Sequence, residues 1–194
     1  MIFFLHALIW IGLSYQVDGQ PAPTQNAASH FQAAQKEQID WKKRRTLTWA
    51  DFKAAPIASS PNAALTSTSI LIQYRWDSDN KFEYYLACVF YPHKSWTKNK
   101  SDRILRHEQG HFDISQLFTR MLHKELSTRT LQSADVEKGV SALYQRVNKE
   151  QADFQKQYDS ETNHSRNTEA QQQWEKKLAA MLQETAAWAS YPQE

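Results

Sequence analysis

The segment 106–113 reads Arg-His-Glu-Gln-Gly-His-Phe-Asp and contains the pattern His-Glu-x-x-His. On a helix, His107 and His111 share one face, with their Cβ atoms about 5–6 Å apart. Two imidazoles so placed can ligate one Zn²⁺, for which Zn–N bonds are about 2.0–2.1 Å. Glu108 points about a quarter turn away, where it can take a proton from a water at the metal. The pattern therefore predicts zinc-dependent hydrolysis of peptide bonds.

The residues around this motif favour a helix buried between two layers. Apolar residues recur at helical spacing on two sides of it. One side carries Ile104, Ile114, Phe118 and Leu122 together with the His pair, and the other carries Leu105, Phe112 and Leu126. Glycine inside a helix costs about 1 kcal/mol relative to alanine. We therefore expect another segment to approach the helix closely at Gly110.

Composition limits the possible functions. The chain has 194 residues, enough for one domain with a real core, and a formal net charge of +2. This charge is too small to indicate a nucleic-acid partner. Cys88 is the single cysteine, so no intrachain disulfide can form.

The N-terminal segment resembles an export signal. Residues 1–13 form an apolar run too short for a comfortable membrane span, and residues 17–19 fit a cleavage site. We predict a signal peptide at 1–19, a Gln/Ala/Pro-rich linker at 20–40 and one domain at 41–194. The alternative is an N-terminal anchor that is never cleaved. Either version predicts an exported domain, and cleavage would leave no stable membrane insertion.

The rest of the chain predicts a small sheet followed by helices. Residues 47–52 suggest a short strand and turn. The basic run at 41–45 suggests a solvated surface. Residues 66–76 alternate in polarity and 82–91 are rich in β-formers, so we expect an antiparallel hairpin with a turn at 77–80. Helices are expected over 103–127, from just after Ser133 to about 158, and from a capping box at Thr168 and Gln171.

A catalytic zinc usually has a third protein ligand. If the second helix folds back antiparallel, residues near 150–165 return to the level of the His pair. This argument leaves two candidates, Glu150 near the apolar face of the second helix and His164 in the polar segment after it.

The chain also resembles the predicted secreted zinc-dependent proteases of bacteria. The resemblance rests on residues 47–52, on 105–113, and on Tyr-Asp-x-x-Thr-x-His at 158–164. It implies that His164 is the third zinc ligand and that Tyr158, Asp159 and Thr162 support the loop carrying it. Ser165 stands where that family usually has glycine.

Together these observations predict an α+β, zincin-like domain: a small antiparallel sheet, an active-site helix and two further packing helices. The expected function is an exported bacterial zinc peptidase, periplasmic or secreted, acting on peptides or proteins. Its metal ligands would be His107, His111 and His164, with Glu108 as general base. The alternative is a non-catalytic zinc-binding or protein-interaction module. Hydrolysis of cell-wall amide bonds would use the same chemistry.

Overall fold

The computed structural model describes residues 37–76, 81–129 and 136–193. The predicted signal peptide, most of the linker and the turn at 77–80 lie outside these ranges. In the described part, the fold is α+β, with two small antiparallel sheets and three long helices. No helix there is both long and apolar enough to cross a membrane.

The larger sheet has the order β1-β4-β3, where β1 is Ile39–Asp40, β3 is Thr68–Trp76 and β4 is Phe82–Phe90. β3 and β4 form the predicted antiparallel hairpin, in register from Thr68 opposite Phe90 to Trp76 opposite Phe82. Ile70, Ile72 and Tyr74 face the core as predicted, but Ser69 and Gln73 on the opposite face are buried as well. The predicted linker extended to residue 40, but β1 pairs with β4.

A second sheet joins β2 (Ala64–Leu65) to β5 (Trp96–Thr97). Residues 49–51, which we expected in a strand and turn, form a 3₁₀ turn instead. The Asp51 carboxylate accepts hydrogen bonds from the Thr48 amide and hydroxyl and from Arg44, which stabilises the turn.

The His-Glu-x-x-His segment lies in α1 (Asp102–Thr128), whose first turn is capped by the Ser101 hydroxyl accepting from the Ile104 amide. α2 (Val136–Thr162) packs against α1, as predicted, but continues beyond residue 158. Tyr158, Asp159 and Thr162, expected at or beyond the end of this helix, therefore lie in its last turns. The true turn follows at Asn163, His164 and Ser165, all with positive φ.

The third helix, α3, spans Thr168–Glu184. The predicted capping box is wrong in its details. Asn167 is the N-cap, and its side chain accepts from the Ala170 amide. Asparagine is at least as good a cap as threonine, and it leaves Gln171 free to point inward.

The helix α1 lies between two apolar clusters, as predicted, although Leu126 of the second stripe packs in the first cluster. On one side, Ile114, Phe118 and Leu122 pack with α2, α3 and the hairpin. On the other, Phe112 packs with Leu47 and Phe52. Complete burial of such side chains contributes about 1.5–3 kcal/mol each. The motif helix is therefore held rigidly on two faces, and its remaining face can carry the His pair.

Candidate metal centre

His107 is 3% exposed and both of its ring nitrogens have partners. Nδ1 lies 3.0 Å from the Gln171 Oε1, which can only accept a hydrogen bond, so Nδ1 carries the proton. Nε2 lies 3.0 Å from the Asp159 Oδ1. The hydrogen bond to Gln171 thus fixes the tautomer that leaves the Nε2 lone pair available to a metal.

His111 is arranged in the same way. Its Nδ1 donates to the Gln155 Oε1, and the Gln155 amide group donates back to the His111 carbonyl at 3.2 Å. Its Nε2 lies 3.3 Å from the His107 Nε2 and 3.1 Å from the Asp159 Oδ1. Two imidazoles therefore turn their Nε2 atoms toward one carboxylate oxygen.

These three donor atoms lie within about 0.4 Å of the spacing that ligands of a tetrahedral ion have. Ligands about 2.0–2.1 Å from a tetrahedral centre are about 3.3–3.4 Å from each other. The three separations between His107 Nε2, His111 Nε2 and Asp159 Oδ1 are 3.3, 3.0 and 3.1 Å. Two imidazoles and a carboxylate are also a common donor set for zinc, so these residues fit the ion that the motif predicts.

Electrostatics couple the three residues. Burial lowers the pKa of His111, but hydrogen bonding and attraction to Asp159 outweigh it and raise that pKa to about 9. Burial would likewise raise the pKa of Asp159, yet the imidazoles of His107 and His111 beside it hold that pKa well below its usual range. Near neutral pH the centre holds a proton on His111, which a metal ion would displace.

Tyr158 explains the glycine in the motif. Its ring stacks on His107, with centroids 4.6 Å apart and an interplanar angle of 18°. A Cβ on Gly110 would lie 2.7 Å from the Tyr158 Cζ and closer still to its hydroxyl oxygen. The predicted close approach at Gly110 is confirmed, because α2 crosses the motif at this point.

Tyr158 also forms hydrogen bonds with the backbone of His107 and with Gln171, the residue that orients the His107 ring. Its hydroxyl donates to the His107 carbonyl at 3.1 Å and accepts from the Gln171 Nε2 at 2.8 Å. Burial raises the pKa of the Tyr158 phenol well above its usual value, so it remains a donor. The hydroxyl of Thr162, also buried, donates to the Tyr158 carbonyl at 2.7 Å.

Glu108 differs from every other polar residue at this centre. It is 4% exposed and lines the groove with the His pair. Within the described ranges, no residue forms a hydrogen bond or ion pair with its carboxylate. A buried carboxylate without a partner is costly. Its exposed oxygen atoms can therefore interact only with water or a ligand in the groove.

The groove itself has a volume of about 620 Å³. One wall consists of β2 and the residues after it, and the other consists of α2 and the turn at 163–165. The His pair and Glu108 lie on α1 between these walls. A groove of this size admits several residues of a peptide.

The two candidates for a third ligand lie in different places. Glu150 pairs with Arg146 at 2.9 Å, its side chain is 42% exposed, and it does not line the groove. His164 does line the groove, and its Nδ1 lies 3.6 Å from the Asp159 Oδ1, although its side chain is 51% exposed. Asp159, expected only to support the loop, lies within the donor cluster.

Sequence reasoning missed Gln155 and Gln171. Each had a detectable signal: Gln155 precedes Asp159 by one turn, and Gln171 precedes Trp174 and Leu178 on the apolar face of α3. A polar residue on such a face needs a buried partner. The partner cannot be identified from the sequence, since it lies 44 residues away for Gln155 and 64 for Gln171.

Comparison with known proteins adds one family. Residues 91–165 match a bacterial protein family of unknown function, DUF922. The matched segment includes both the His-Glu-x-x-His motif and the turn with His164, that is, the whole donor cluster. Searches of curated proteins and of solved structures found no significant match.

Proposed function

We propose that this chain is an exported zinc-dependent peptidase with a zincin-like active site. The observation that carries the proposal is the convergence of two Nε2 atoms and one carboxylate oxygen beside the unpaired carboxylate of Glu108. Hydrogen bonds from His107 and His111 to glutamine side chains orient both rings. A merely structural zinc site would not need an unpaired carboxylate next to its ligands.

His107 and His111 would hold the ion, with Asp159 or His164 as the third ligand. Asp159 is favoured by its distances to both imidazoles, and His164 by the resemblance described above. When bound, the ion would supply Lewis acidity, which makes water acidic near neutral pH and polarises a peptide carbonyl.

The protein's own side chains would transfer the proton, orient the metal ligands and enclose the substrate. Glu108 would accept a proton from the attacking water and pass it to the departing amine. Gln155 and Gln171 would keep both imidazoles in the tautomer that offers Nε2. The enclosing walls of the groove would exclude bulk water from the reacting bond.

The edge of β2 offers a way to hold an extended peptide. The Lys98 amide donates to the Ala63 carbonyl at 2.7 Å, and the register places Leu65 opposite Trp96. Along antiparallel strands, residue pairs that share hydrogen bonds alternate with pairs that do not. Ala63 bonds to Lys98, so its neighbour Ala64 directs its backbone amide and carbonyl away from β5. No strand among the described residues covers that edge, and Ala64 lines the groove. A substrate strand could therefore pair there.

The test is zinc analysis of the purified protein together with hydrolysis of a mixed peptide library, read by mass spectrometry. We expect cleavage that a chelator abolishes and added zinc restores. Cell-wall peptides should be included, since the same chemistry can cut them. A zinc-loaded protein that cleaves nothing would refute the peptidase and favour the non-catalytic binding module.

A further inference from the structure

Arg103 is a cation without a counter-charge. It lies on α1 four residues before His107, on the same face, and it lines the groove. Its Nη1 donates to the carbonyl and the hydroxyl of Ser165, both neutral groups. No carboxylate in the described part of the chain pairs with it, although its side chain is half-buried. A partly desolvated guanidinium favours an anion beside it.

Arg166 lies at the same end of the groove. It follows the turn at 163–165, where three successive residues have φ between 47° and 70°. Because Arg103 binds Ser165, this turn is fixed against α1. The Arg166 side chain is exposed, lines the groove and forms no hydrogen bond or ion pair with any described residue.

Charges elsewhere in the groove do not neutralise this end. The carboxylate of Asp153 pairs with Lys149 at 2.5 Å and lies 4.0 Å from Lys156. The remaining acids of the groove, Glu108 and Asp159, belong to the candidate metal centre. The groove beyond that centre is therefore positively charged, and the N-terminal end of α1 adds its partial positive charge at Arg103.

We propose that Arg103 and Arg166 form a carboxylate-binding subsite, so that the groove prefers peptides with a carboxylate close to the cleaved bond. The proposal rests on the proposed peptidase function. The binding of a carboxylate can nevertheless be measured even if the protein cleaves no peptide. One helical turn separates Arg103 from His107, a rise of about 5.4 Å. An extended peptide advances about 3.4 Å per residue. The carboxylate would thus lie one or two residues from the bond.

Two sources could supply this group, an acidic side chain or the C-terminal carboxylate of the peptide. Binding is measured by fluorescence anisotropy on the Glu108→Gln variant, which separates binding from turnover. The probes are four labelled, randomised octapeptide pools with a central Glu or Gln, each ending as a free acid or an amide. We expect the neutral pool to bind roughly tenfold more weakly than the preferred acidic pool.

The pools distinguish the two sources. Weaker binding of the amidated peptides indicates the C-terminal carboxylate, and weaker binding of the peptides with a central Gln indicates the acidic side chain. In the same background, Arg103→Gln and Arg166→Gln should each reduce the preference. Arg106→Gln is the matched control, because Arg106 lies on the same helix outside the groove, 3.4 Å from Glu175. If Arg103→Gln fails to fold, Arg166→Gln still decides, since the Arg166 side chain has no hydrogen bond or ion pair with the described residues to lose.

Equal binding of acidic and neutral pools would overturn the subsite, as would a preference that survives both substitutions. These results differ from failure of the peptidase. Cleavage without a carboxylate preference would refute only the subsite. A carboxylate preference without cleavage by the parent protein would leave the subsite standing and refute the peptidase.

Discussion

Two buried carboxylates on α1, Glu108 and Asp113, have opposite surroundings. Asp113 accepts hydrogen bonds from Trp41 at 2.7 Å, from Arg45 at 2.6 and 3.2 Å and from Gln109 at 3.0 Å. Glu108 accepts none from the described residues. The two lie only about one and a half turns apart on the helix. The helix therefore uses one acid to hold the fold and leaves the other open to the groove.

The comparison separates structural polar groups from reactive ones. On the side of Asp113, Gln109 also accepts from the Leu47 amide and donates to the Arg45 carbonyl. These bonds attach residues 41–47 to the motif helix. On the groove side, glutamines orient the imidazoles so that both Nε2 atoms face Asp159, while Glu108 accepts no hydrogen bond from the described residues. A polar group fixed in place yet lacking its full set of partners is the pattern expected of a catalytic site.

The largest effect should come from Glu108→Gln, which keeps the size of the side chain and removes the base. We expect peptide turnover to fall by roughly 10²–10⁴-fold, with zinc content and melting temperature close to the parent's. Cleavage, elemental analysis and thermal melting on one preparation give all three values. If this variant cleaved peptides as fast as the parent protein, Glu108 could not be the base. The contrast between a reactive Glu108 and a structural Asp113 would then fail.

Asp113→Ala should give the opposite profile. Its loss leaves the Trp41 Nε1 without its acceptor and removes the carboxylate partner of Arg45, so we expect unfolding to cost about 3 kcal/mol less. Denaturant unfolding measures this difference. Zinc content should match the parent at temperatures where the variant is folded. A fully stable variant would show that Asp113 does not hold the N-terminal segment.

A smaller effect is expected from Gly110→Ala, which tests the contact between α1 and α2. Alanine favours helix by about 1 kcal/mol, but the added Cβ would overlap Tyr158, and such overpacking costs about 1–3 kcal/mol. After subtraction of the helix gain, we expect a net loss of up to about 2 kcal/mol in unfolding free energy. Gly139→Ala in α2 is the control, since nothing lies within 4 Å of its Cβ position. It should be neutral or stabilising; a matching loss there would point to a general helix effect.

Much of this fold follows from patterns within single segments. Alternation predicts the β3–β4 hairpin, and helical periodicity predicts the three helices and the burial of α1 on two sides. The return of α2 to the level of the His pair followed from helix length together with an assumed antiparallel connection. The glycine at 110 indicated a crossing, although not that Tyr158 makes it.

What the sequence left open depends on contacts between distant segments. Local pattern ended the helix near Tyr158 and placed Asp159 in a loop, because the segment is polar, yet Asp159 lies beside both imidazoles from within the helix. The basic run 41–45 read as solvated surface, but Arg45 reaches the buried Asp113, 68 residues away. Polar residues that satisfy long-range partners look like surface residues until the partner is known.

The account depends most on the metal centre, and zinc stoichiometry tests it most directly. Parent, His111→Ala and His123→Ala proteins are loaded with zinc, freed of excess ion and measured by elemental analysis. His123 is the matched control, because it lies on the same helix but bonds to Tyr84 at 2.9 Å, outside the groove. Circular dichroism confirms that each variant is folded.

We predict about one zinc per chain in the parent and in His123→Ala, as one mononuclear site requires, and loss of most of it in His111→Ala. Equal zinc in the parent and in a folded His111→Ala protein would contradict the assignment of this centre.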